Sequence, residues 1–286
     1  MSEGFIAVPG ANLYFREVGL GKPVVVLHGG PDFDHRYLLP ELDVLASAFR
    51  LVYYDQRGRG RSTGEAADIT IGSEVEDLER LCRHLHLDRP AILGHSWGGL
   101  LAMEFATRHP GRASHLVLMN TAPASHADVE LFRSRRQRSE PETLAKMRGI
   151  AATPEFAAGD IETEARYYRL HYGSTLRAHA LVDRLVARLR VGATPGDVLR
   201  ARAIEDRLNA DTWDHADYDL RPKLGALTVD ALVLHAQYDL IPLDCVKPIA
   251  EAIGGAHLAV LADCGHFAYM EEPQAVFHAI DTFFRR

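Results

Sequence analysis

One short segment of the sequence, residues 91–106, joins a buried strand, a glycine-flanked turn and a helix without interruption. Residues 91–94 are small or apolar and follow Pro90, as in a buried strand, and helix-forming residues then continue toward Pro110. Between the strand and the helix lies a G-x-S-x-G pattern with Ser96 at its centre. A serine on such a sharp turn stands exposed at the end of a sheet, the arrangement called a nucleophile elbow.

The elbow interpretation depends on the two glycines and on the helix that follows Ser96. Gly94 and Gly98 lack a Cβ atom, so the strand and the helix can approach each other closely on both sides of the serine. The N-terminus of the helix also points toward the serine, where the helix dipole favours developing negative charge. Because a bare G-x-S-x-G pattern also occurs in ordinary glycine-rich turns, the interpretation requires a base and an acid elsewhere in the chain.

Composition limits the kinds of protein that the chain can be. The chain has 286 residues, of which 47% are hydrophobic, enough for a large core in one or two domains. Its formal net charge is −7 and it has no basic tail, so we expect neither nucleic acid nor an anionic membrane as a partner. The start of the sequence lacks a signal-peptide pattern, and no uncharged apolar run reaches the roughly 20 residues of a membrane span. We therefore expect a soluble cytoplasmic protein and leave its oligomeric state open.

The spacing of cysteine, histidine and acidic residues argues against a disulfide framework and against a metal site. Cys82, Cys245 and Cys264 are odd in number and far apart, which fits a reducing compartment. No His, Asp or Glu cluster has metal-ligand spacing, so we expect no metal and no other cofactor. Segment 55–62 could suggest a phosphate loop, but it lacks the G-K-[ST] ending. We interpret it as a structural turn whose arginines pair with Asp55 and other carboxylates.

Strand and helix patterns alternate over most of the chain. Short apolar runs predict strands, and apolar residues at helical spacing predict helices between them. Such alternation favours an α/β fold, a mainly parallel sheet flanked by helices. The predicted strands are residues 5–8, 12–18, 23–27, 51–54, 91–94, 115–119, 229–235 and 257–261. The predicted helices are residues 38–49, residues 73–87 with Ser73 as the cap, the helix after Ser96, residues 243–253 and residues 273–284.

The alternation stops near Thr121. From there to about residue 217, helical patterns occur without a convincing strand, and the core pattern then resumes. We therefore predict an α/β core formed by residues 1–121 and 218–286, with residues 122–217 inserted as a helical cap. The arginine-rich run from Arg133 to Arg138 falls in this insertion and is typical of a solvated helix face.

Two residues near the end of the chain can complete a catalytic triad with Ser96. Functional groups of open α/β sheets gather at the carboxyl ends of strands, and a serine hydroxyl needs a base and an orienting acid there. His266 follows the last predicted strand and Asp239 follows the strand before it, in the chain order Ser, Asp, His. Asp263 is a competing acid, but it lies so close to His266 that it suits a turn. Asn120, at the end of an earlier strand, cannot serve as a carboxylate.

Backbone donors for an oxyanion are expected at two places. The N–H of Trp97, directly after the serine, is one, and the second is expected in the loop 28–31, at Gly30. The glycines of this loop keep side chains away from the substrate carbonyl, so we expect Gly29 to border the substrate. The loop follows the predicted strand 23–27, which should lie beside the strand of the elbow.

Three segments together resemble the α/β-hydrolase superfamily and, within it, the proline iminopeptidase-like branch. They are HGGPD at residues 28–32, DQRGRGRS at residues 55–62 and GHSWGG at residues 94–99. The resemblance covers both core segments, from about Phe5 to Asn120 and from about Tyr218 to Arg286. It implies an eight-stranded, mainly parallel sheet flanked by helices, with a helical cap inserted after the sixth strand.

The resemblance also implies roles for individual residues. Ser96 corresponds to the nucleophile, His266 to the base and Asp239 to the acid that orients it. Dehalogenase and epoxide-hydrolase relatives carry Asp at the nucleophile position, so Ser96 argues against those reactions. Two positions depart from the branch, since Asp32 and His95 stand where its members commonly have glycine. We interpret His95 as a packing residue.

Peptidases of this branch hold the free α-amino group of the substrate with glutamates of the cap. The physical reason is that an ammonium group in a dry cleft needs a carboxylate partner. The resemblance points to Glu162 as one such ligand, with Glu164 as the nearby alternative, and to Glu205 as the second. The competing interpretation is that these carboxylates are solvated, as most surface glutamates are.

The sequence therefore predicts a serine hydrolase that acts through an acyl-enzyme on a short peptide or a small ester. The leading hypothesis is an aminopeptidase that releases N-terminal residues and favours proline, and the alternative is a carboxylesterase on small esters. Two further hypotheses stay open. The same triad can hydrolyse an acidic carbon–carbon bond, and the same fold can serve as a ligand receptor, since a fold does not fix a function.

Overall fold

The computed structural model describes residues 2–285, so the terminal Met1 and Arg286 of the predicted core segments lie outside it. The strands of the described chain are β1 (Ser2–Val8), β2 (Ala11–Val18), β3 (Lys22–Leu27), β4 (Phe49–Tyr54), β5 (Ala91–His95), β6 (His115–Met119), β7 (Asp230–Ala236) and β8 (His257–Leu261). They form one sheet in the order β1-β2-β4-β3-β5-β6-β7-β8. β2 pairs antiparallel with β1 and β4, and all other neighbours pair parallel. The prediction of a mainly parallel eight-stranded sheet is confirmed.

Helices connect and cover these strands. They are α1 (Ile71–His84), α2 (Trp97–Arg108), α3 (His126–Ser139), α4 (Pro141–Ala151), α5 (Pro154–Ala157), α6 (Ile161–Gly173), α7 (Ala180–Leu189), α8 (Pro195–Asp211), α9 (Arg221–Leu224), α10 (Leu243–Ala252), α11 (Ala268–Glu271) and α12 (Pro273–Phe284). Across residues 2–285, no helix combines the length and the apolar character needed to cross a membrane.

The central strands carry apolar side chains on both faces because helices cover both faces. In β3, Val24 and Val26 belong to one buried cluster, which extends into α12, while Val25 and Leu27 belong to the other. The second cluster includes the inward side chains of α1, α2 and α10. This double coverage explains why the strands are continuous apolar runs rather than alternating ones.

The helical insertion follows the sixth strand, as predicted. The helices α3 to α8 all lie between β6 and β7 and within residues 122–217, whereas the boundaries predicted for the two core segments stay a prediction. Ser125 and Asp219, near the two ends of the insertion, pair in a single antiparallel β-bridge. The chain therefore enters and leaves the cap at adjacent points above the sheet.

Two predicted helix boundaries were wrong. The first helix of the core, α1, is capped by Thr70, and Ser73 is its third residue. The Thr70 hydroxyl accepts a hydrogen bond from the backbone N–H of Ser73 (3.0 Å). The Ser73 hydroxyl accepts one from the backbone N–H of Thr70 (2.9 Å), so the two residues form a reciprocal capping box. The predicted helix over residues 38–49 is replaced by two 3₁₀ helices, His35–Leu38 and Glu41–Ser47, and by the start of β4. Pro40 separates them, because a proline lacks the backbone donor that a continuous helix requires.

The arginines of segment 55–62 pair with carboxylates, although not with Asp55. The pairs are Arg57–Asp77, Arg59–Glu74 and Arg61–Glu3, of which the first two are buried. Asp55 instead contacts the Nδ1 atom of His35 (2.6 Å) and accepts a hydrogen bond from the N–H of Arg61 (2.8 Å). The segment is thus a structural turn, anchored by buried ion pairs to α1.

We expect the substitution Arg59→Met to lower the free energy of unfolding by about 3–5 kcal/mol, because it leaves Glu74 buried without a cationic partner. Urea unfolding measures the change. The matched control is Arg61→Met, since Arg61 and its partner Glu3 are 47% and 57% exposed. That variant should lose less than about 1 kcal/mol. Equal losses in the two variants would contradict the importance of the buried pair.

Candidate active site

Ser96 lies at the turn between β5 and α2 in a strained backbone conformation. Its φ and ψ angles are 55° and −120°, and it is the N-cap residue of α2. A Cβ atom on Gly94 would lie 2.1 Å from the carbonyl oxygen of Gly98, and one on Gly98 would lie 2.2 Å from that of Leu27. Only glycine fits at either position, so the sequence pattern is required by the close approach of β3, β5 and α2.

His266 and Asp239 converge on Ser96 from the carboxyl ends of β8 and β7. The Nε2 atom of His266 lies 3.1 Å from the hydroxyl oxygen of Ser96, and its Nδ1 atom lies 2.8 Å from a carboxylate oxygen of Asp239. The competing acid, Asp263, lies in the left-handed region with φ 54°, as a turn residue does. His266 is therefore within hydrogen-bond reach of both other members of the predicted triad.

Asp239 is fixed by donors other than the imidazole. The side-chain amide of Asn120 donates to one carboxylate oxygen (2.6 Å) and the N–H of Ile241 donates to the other (2.8 Å). Burial alone raises the pKa of Asp239, but the nearby imidazoles of His266 and His235 and the donated hydrogen bonds outweigh it, so that its pKa lies well below its ordinary value. Asp239 is thus held ionised beside the imidazole.

Asn120 is a site residue that the sequence analysis set aside. It cannot be the acid, but it orients the acid from the end of β6, with a left-handed φ of 46°. The only signal in the sequence was its position directly after a predicted strand. A polar residue at that edge of the sheet can reach the site without taking part in the reaction itself.

Of the two residues expected as oxyanion donors, Gly30 lines the same cavity as Ser96, and Trp97 directly follows Ser96 in the chain. Trp97 is the first residue of α2, where a backbone N–H has no intrahelical partner. Gly30 lines the cavity above the serine and has φ 125°, and a Cβ atom there would lie 2.2 Å from the N atom of Asp32. Gly29 does not offer its N–H to a substrate, because that group donates to the hydroxyl of Tyr37 (2.8 Å). The expected contact of Gly29 with substrate stays a prediction, and the glycine lies so close to the elbow that a Cβ atom would be 3.0 Å from the Cβ of Ser96.

Segment 55–62 supports the loop that carries Gly30. The side chain of Gln56 donates to the carbonyl oxygen of His28 (2.9 Å), and its backbone N–H donates to the Nε2 atom of the same histidine (3.0 Å). The Nε atom of Arg59 donates to the carbonyl oxygen of Pro31 (2.9 Å). The two motifs HGGP and DQRG are therefore one unit, in which the second fixes the backbone of the first.

The cap contacts the loop of His266 directly. The N–H of His266 donates to the carbonyl oxygen of Thr175 in the cap (3.0 Å). A Cβ atom on Gly265 would lie 1.7 Å from that oxygen, which explains the glycine before the histidine. The carboxylate of Glu271 accepts from the N–H groups of Gly265 (2.7 Å) and Ala178 (2.8 Å) and so joins the same two segments.

A cavity of about 210 Å³ lies above Ser96, between the core and the cap. Aromatic side chains dominate its wall, together with polar groups from the core and the cap. The aromatic residues are Phe33, Phe132, Tyr167, Tyr168, Tyr172 and Trp213, and the polar residues include Asp32, His171, Glu205, Asn209 and His266. The cavity is therefore suited to a small molecule with an apolar body and a few polar groups.

The three candidate glutamates of the cap have different surroundings. Glu205 lines the cavity, and within the described residues no ion pair or side-chain hydrogen bond engages it. Glu164 is buried and pairs with Arg190 at 3.3 Å. Glu162 does not reach the cavity, because its side chain is 77% exposed and contacts Arg169 on the outer surface of α6. The structure thus brings Glu205 to the site and leaves Glu162 away from it.

The guanidinium of Arg190 connects the cap to the loop after Gly30. It pairs with Asp32, lies 3.3 Å from Glu164 and donates to the hydroxyl of Tyr168 (3.0 Å). Asp32, which replaces the glycine common in the branch, is therefore ion-paired with a cap residue. Removal from bulk water, followed by the negative charge of Asp32, raises the pKa of Glu205 to about 8.

One cluster of potential metal ligands lies outside this cavity. Ligand atoms of Asp34, His35 and Asp55 lie within 4.8 Å of one another. Each acid already has a partner, since Asp34 pairs with Arg36 at 2.6 Å and Asp55 with His35 at 2.6 Å. These contacts explain the cluster by the ion pairs that hold segment 55–62 and the 3₁₀ helix His35–Leu38 together.

Comparison with known proteins finds relatives that extend over nearly the whole chain. The family model of the alpha/beta hydrolase fold matches residues 22–273. A proline iminopeptidase from Xylella fastidiosa is 30% identical over 302 residues, which cover 95% of this chain and 92% of the relative. One from Saccharolobus solfataricus is 26% identical over 300 residues, covering 99% and 92%. Among solved structures, a thermophilic esterase from Thermogutta terrifontis has a TM-score of 0.71 at 27% identity and covers 100% of this chain and 98% of its own.

The raised pKa of Glu205 predicts a pH-dependent stability. The neutral carboxyl is the favoured form in the folded protein, so its stabilising contribution is complete below about pH 4.5 and is lost as the pH rises through about 8. We expect the free energy of unfolding to fall more between pH 5 and pH 9 in the wild type than in Glu205→Gln, as measured by urea unfolding. The control Glu162→Gln should behave like the wild type. A Glu205→Gln protein with the pH dependence of the wild type would contradict the assignment.

Proposed function

The chain belongs to the α/β hydrolase family, and from that premise we propose that it is a serine hydrolase acting through an acyl-enzyme on Ser96. The observation that carries the proposal is the line of contacts from Ser96 through His266 to Asp239, with separations of 3.1 Å and 2.8 Å, at the floor of a small cavity. These are the separations that proton transfer from the hydroxyl to the imidazole requires.

The proposed reaction begins with attack by the Ser96 hydroxyl oxygen on the substrate carbonyl carbon. The hydroxyl proton passes to the Nε2 atom of His266, and the tetrahedral intermediate places its oxyanion near the N–H groups of Gly30 and Trp97. Collapse of the intermediate expels the leaving group, which takes the proton back from His266. Water then attacks the acyl-enzyme by the same steps and releases the acid.

Asp239 contributes by orientation and by charge. Because its pKa lies well below the ordinary value, the carboxylate stays ionised at neutral pH and stabilises the imidazolium that forms during the reaction. Its contact with the Nδ1 atom also fixes the tautomer that leaves Nε2 free to accept the proton from Ser96. Asn120 and Ile241 hold the carboxylate in that orientation.

We further propose that the substrate is a short peptide or amide with a free N-terminal amine, and that proline is favoured at that position. Glu205 supports this proposal because it is a carboxyl without an ion pair among the described residues, in a cavity whose other walls are largely aromatic. An ammonium group entering the cavity would convert the neutral carboxyl to a carboxylate and pair with it. The relatives called proline iminopeptidases favour the same substrate class.

A carboxylesterase acting on small esters is the second candidate. Arg190 pairs with both Asp32 and Glu164, so among the three carboxyl groups Glu205 is the one without an ion pair in the described residues. With its pKa at about 8, Glu205 is largely neutral at pH 7, which also suits an uncharged ester. The similarity to the esterase from Thermogutta terrifontis favours this alternative.

Turnover of proline p-nitroanilide and of p-nitrophenyl acetate, measured side by side, tests both proposals. Hydrolysis of the amide is expected, and Ser96→Ala should reduce kcat for either substrate by at least about 10³-fold, because the nucleophile is lost. Ester turnover without amide turnover would replace the peptidase proposal by the esterase. A folded wild type that hydrolyses neither substrate and is not labelled by a fluorophosphonate would contradict the serine-hydrolase proposal.

The substitution Glu205→Gln separates recognition of the amine from catalysis. We expect KM for the proline amide to rise by about 10-fold to 100-fold, the loss of one hydrogen bond to a charged group, and KM for the ester to stay within about twofold. Glu162→Gln is the matched control and should leave both KM values unchanged, because Glu162 lies on the outer surface. Equal effects of Glu205→Gln on amide and ester would contradict a role in binding the ammonium group.

A further inference from the structure

Beneath the triad, four buried groups form one continuous chain of hydrogen bonds. The N–H of Gly29 donates to the hydroxyl of Tyr37 (2.8 Å), and that hydroxyl lies 2.7 Å from the Nδ1 atom of His95. The Nε2 atom of His95 lies 2.9 Å from the carbonyl oxygen of His266. His95 therefore contacts two loops with different functions and is more than the packing residue that the sequence suggested.

The direction of each bond in this chain follows from chemistry. A carbonyl oxygen can only accept, so the Nε2 atom of His95 must carry a hydrogen and donate to His266. Burial, followed by the charge of the neighbouring His266, lowers the pKa of His95 to about 3, so the ring is neutral near pH 7 and its Nδ1 atom is an acceptor. Tyr37 must then donate to Nδ1, and its oxygen is free to accept from Gly29.

Three of the groups in this series of hydrogen bonds lie next to atoms that the reaction needs. At one end, Gly29 precedes Gly30, one of the proposed oxyanion donors, and in the middle, His95 precedes Ser96 in the elbow. At the other end is the backbone carbonyl of His266, the proposed base. The hydrogen bonds thus join the three segments whose relative positions decide whether the oxyanion hole, the hydroxyl and the imidazole are aligned.

Water cannot replace these contacts. Tyr37 and His95 are each 1% exposed, and the rings of Phe267 and Tyr269 pack against His95 at centroid distances of 5.6 Å and 5.3 Å. A polar group that loses its partner in such surroundings stays unsatisfied or shifts the backbone to find another. We therefore expect that, without the Tyr37 hydroxyl, the backbone at Gly29 shifts toward another acceptor and displaces Gly30 with it.

We propose that Tyr37 and His95 are positioning residues, which hold the oxyanion loop and the loop of His266 in register with Ser96 through this chain of hydrogen bonds. The catalytic part of the inference rests on the proposed serine-hydrolase function, whereas the bonding pattern does not. Neither side chain contacts the reacting atoms. They act through the backbone positions of Gly30 and His266. Their loss should therefore raise the transition-state barrier and lower kcat, and leave substrate binding and KM unchanged.

The substitution Tyr37→Phe tests the positioning role, because it removes only the hydroxyl. We expect kcat for p-nitrophenyl acetate to fall by about 10-fold to 100-fold, whereas loss of a whole oxyanion donor lowers kcat by about 100-fold to 1,000-fold. We expect KM to stay within about twofold. The affinity for phenylboronic acid, whose serine adduct is tetrahedral, should fall by the same factor as kcat/KM. An unchanged kcat and an unchanged boronic acid affinity would overturn the inference.

Tyr218→Phe is the control for a general loss of stability. The Tyr218 hydroxyl donates to a carboxylate oxygen of Glu104 (2.8 Å), a partly buried contact that involves neither Tyr37 nor His95. If the effect of Tyr37→Phe arose from general loss of stability, Tyr218→Phe would lower kcat by a similar factor, and that outcome would overturn the positioning role. We expect kcat of the control to remain within about twofold of the wild type.

A second measurement tests the bonding pattern without any substrate. In ¹⁵N spectra of histidine-labelled protein, His95 should be the Nε2–H tautomer and should not titrate between pH 5 and pH 8. The shift of its Nδ1 atom should change in Tyr37→Phe, since the donor is gone. An Nδ1–H tautomer, or protonation of His95 near neutral pH, would overturn the chain of hydrogen bonds. A wild type without any hydrolytic activity would instead contradict the proposed function, and this spectrum would still decide the inference.

Discussion

The close approach of β3, β5 and α2 is the constraint on which the rest of the site depends. Backbone atoms of Gly94, Gly98 and Leu27 occupy the space that a single Cβ atom would need. This contact bends the chain sharply at Ser96 and brings the loop after β3 beside it. Because β3 and β5 are neighbours in the sheet, Gly30 and Ser96 line the same cavity. The elbow is therefore a property of the core alone.

Two carboxyl groups of the site have opposite ionisation preferences, and the difference lies in their donors. Asp239 is deeply buried, yet it accepts hydrogen bonds from Asn120 and Ile241 and contacts an imidazole, so the ionised form is favoured. Glu205 is removed from bulk water, lies near the negative charge of Asp32 and receives no comparable bonds within the described chain, so the neutral form is favoured. The fold thus provides an ionised carboxylate beside His266 and, in the cavity, a carboxyl whose neutral form is favoured.

The parts of the molecule that the sequence predicted are those determined by local pattern. The strand, turn and helix around Ser96 and the strand-end positions of Asp239 and His266 depend on residues close in sequence, and so they could be inferred. The contact between Arg190 and Asp32 joins residues 158 positions apart, and only the packing of the cap on the core creates it. The same holds for Glu205 and Glu162, because which helix face meets the cavity is decided by tertiary packing. His95 was misjudged since its two partners come from distant loops.

The hydrogen bond from the N–H of His266 to the carbonyl oxygen of Thr175 makes the cap a direct support of the residue that we propose as the base. If the turn at Thr175 moved away from the core, the backbone N–H of His266 would lose its acceptor. Movement of the cap on that side would therefore disturb the alignment of His266 with Ser96. An entry route on another side of the cap would leave that alignment intact.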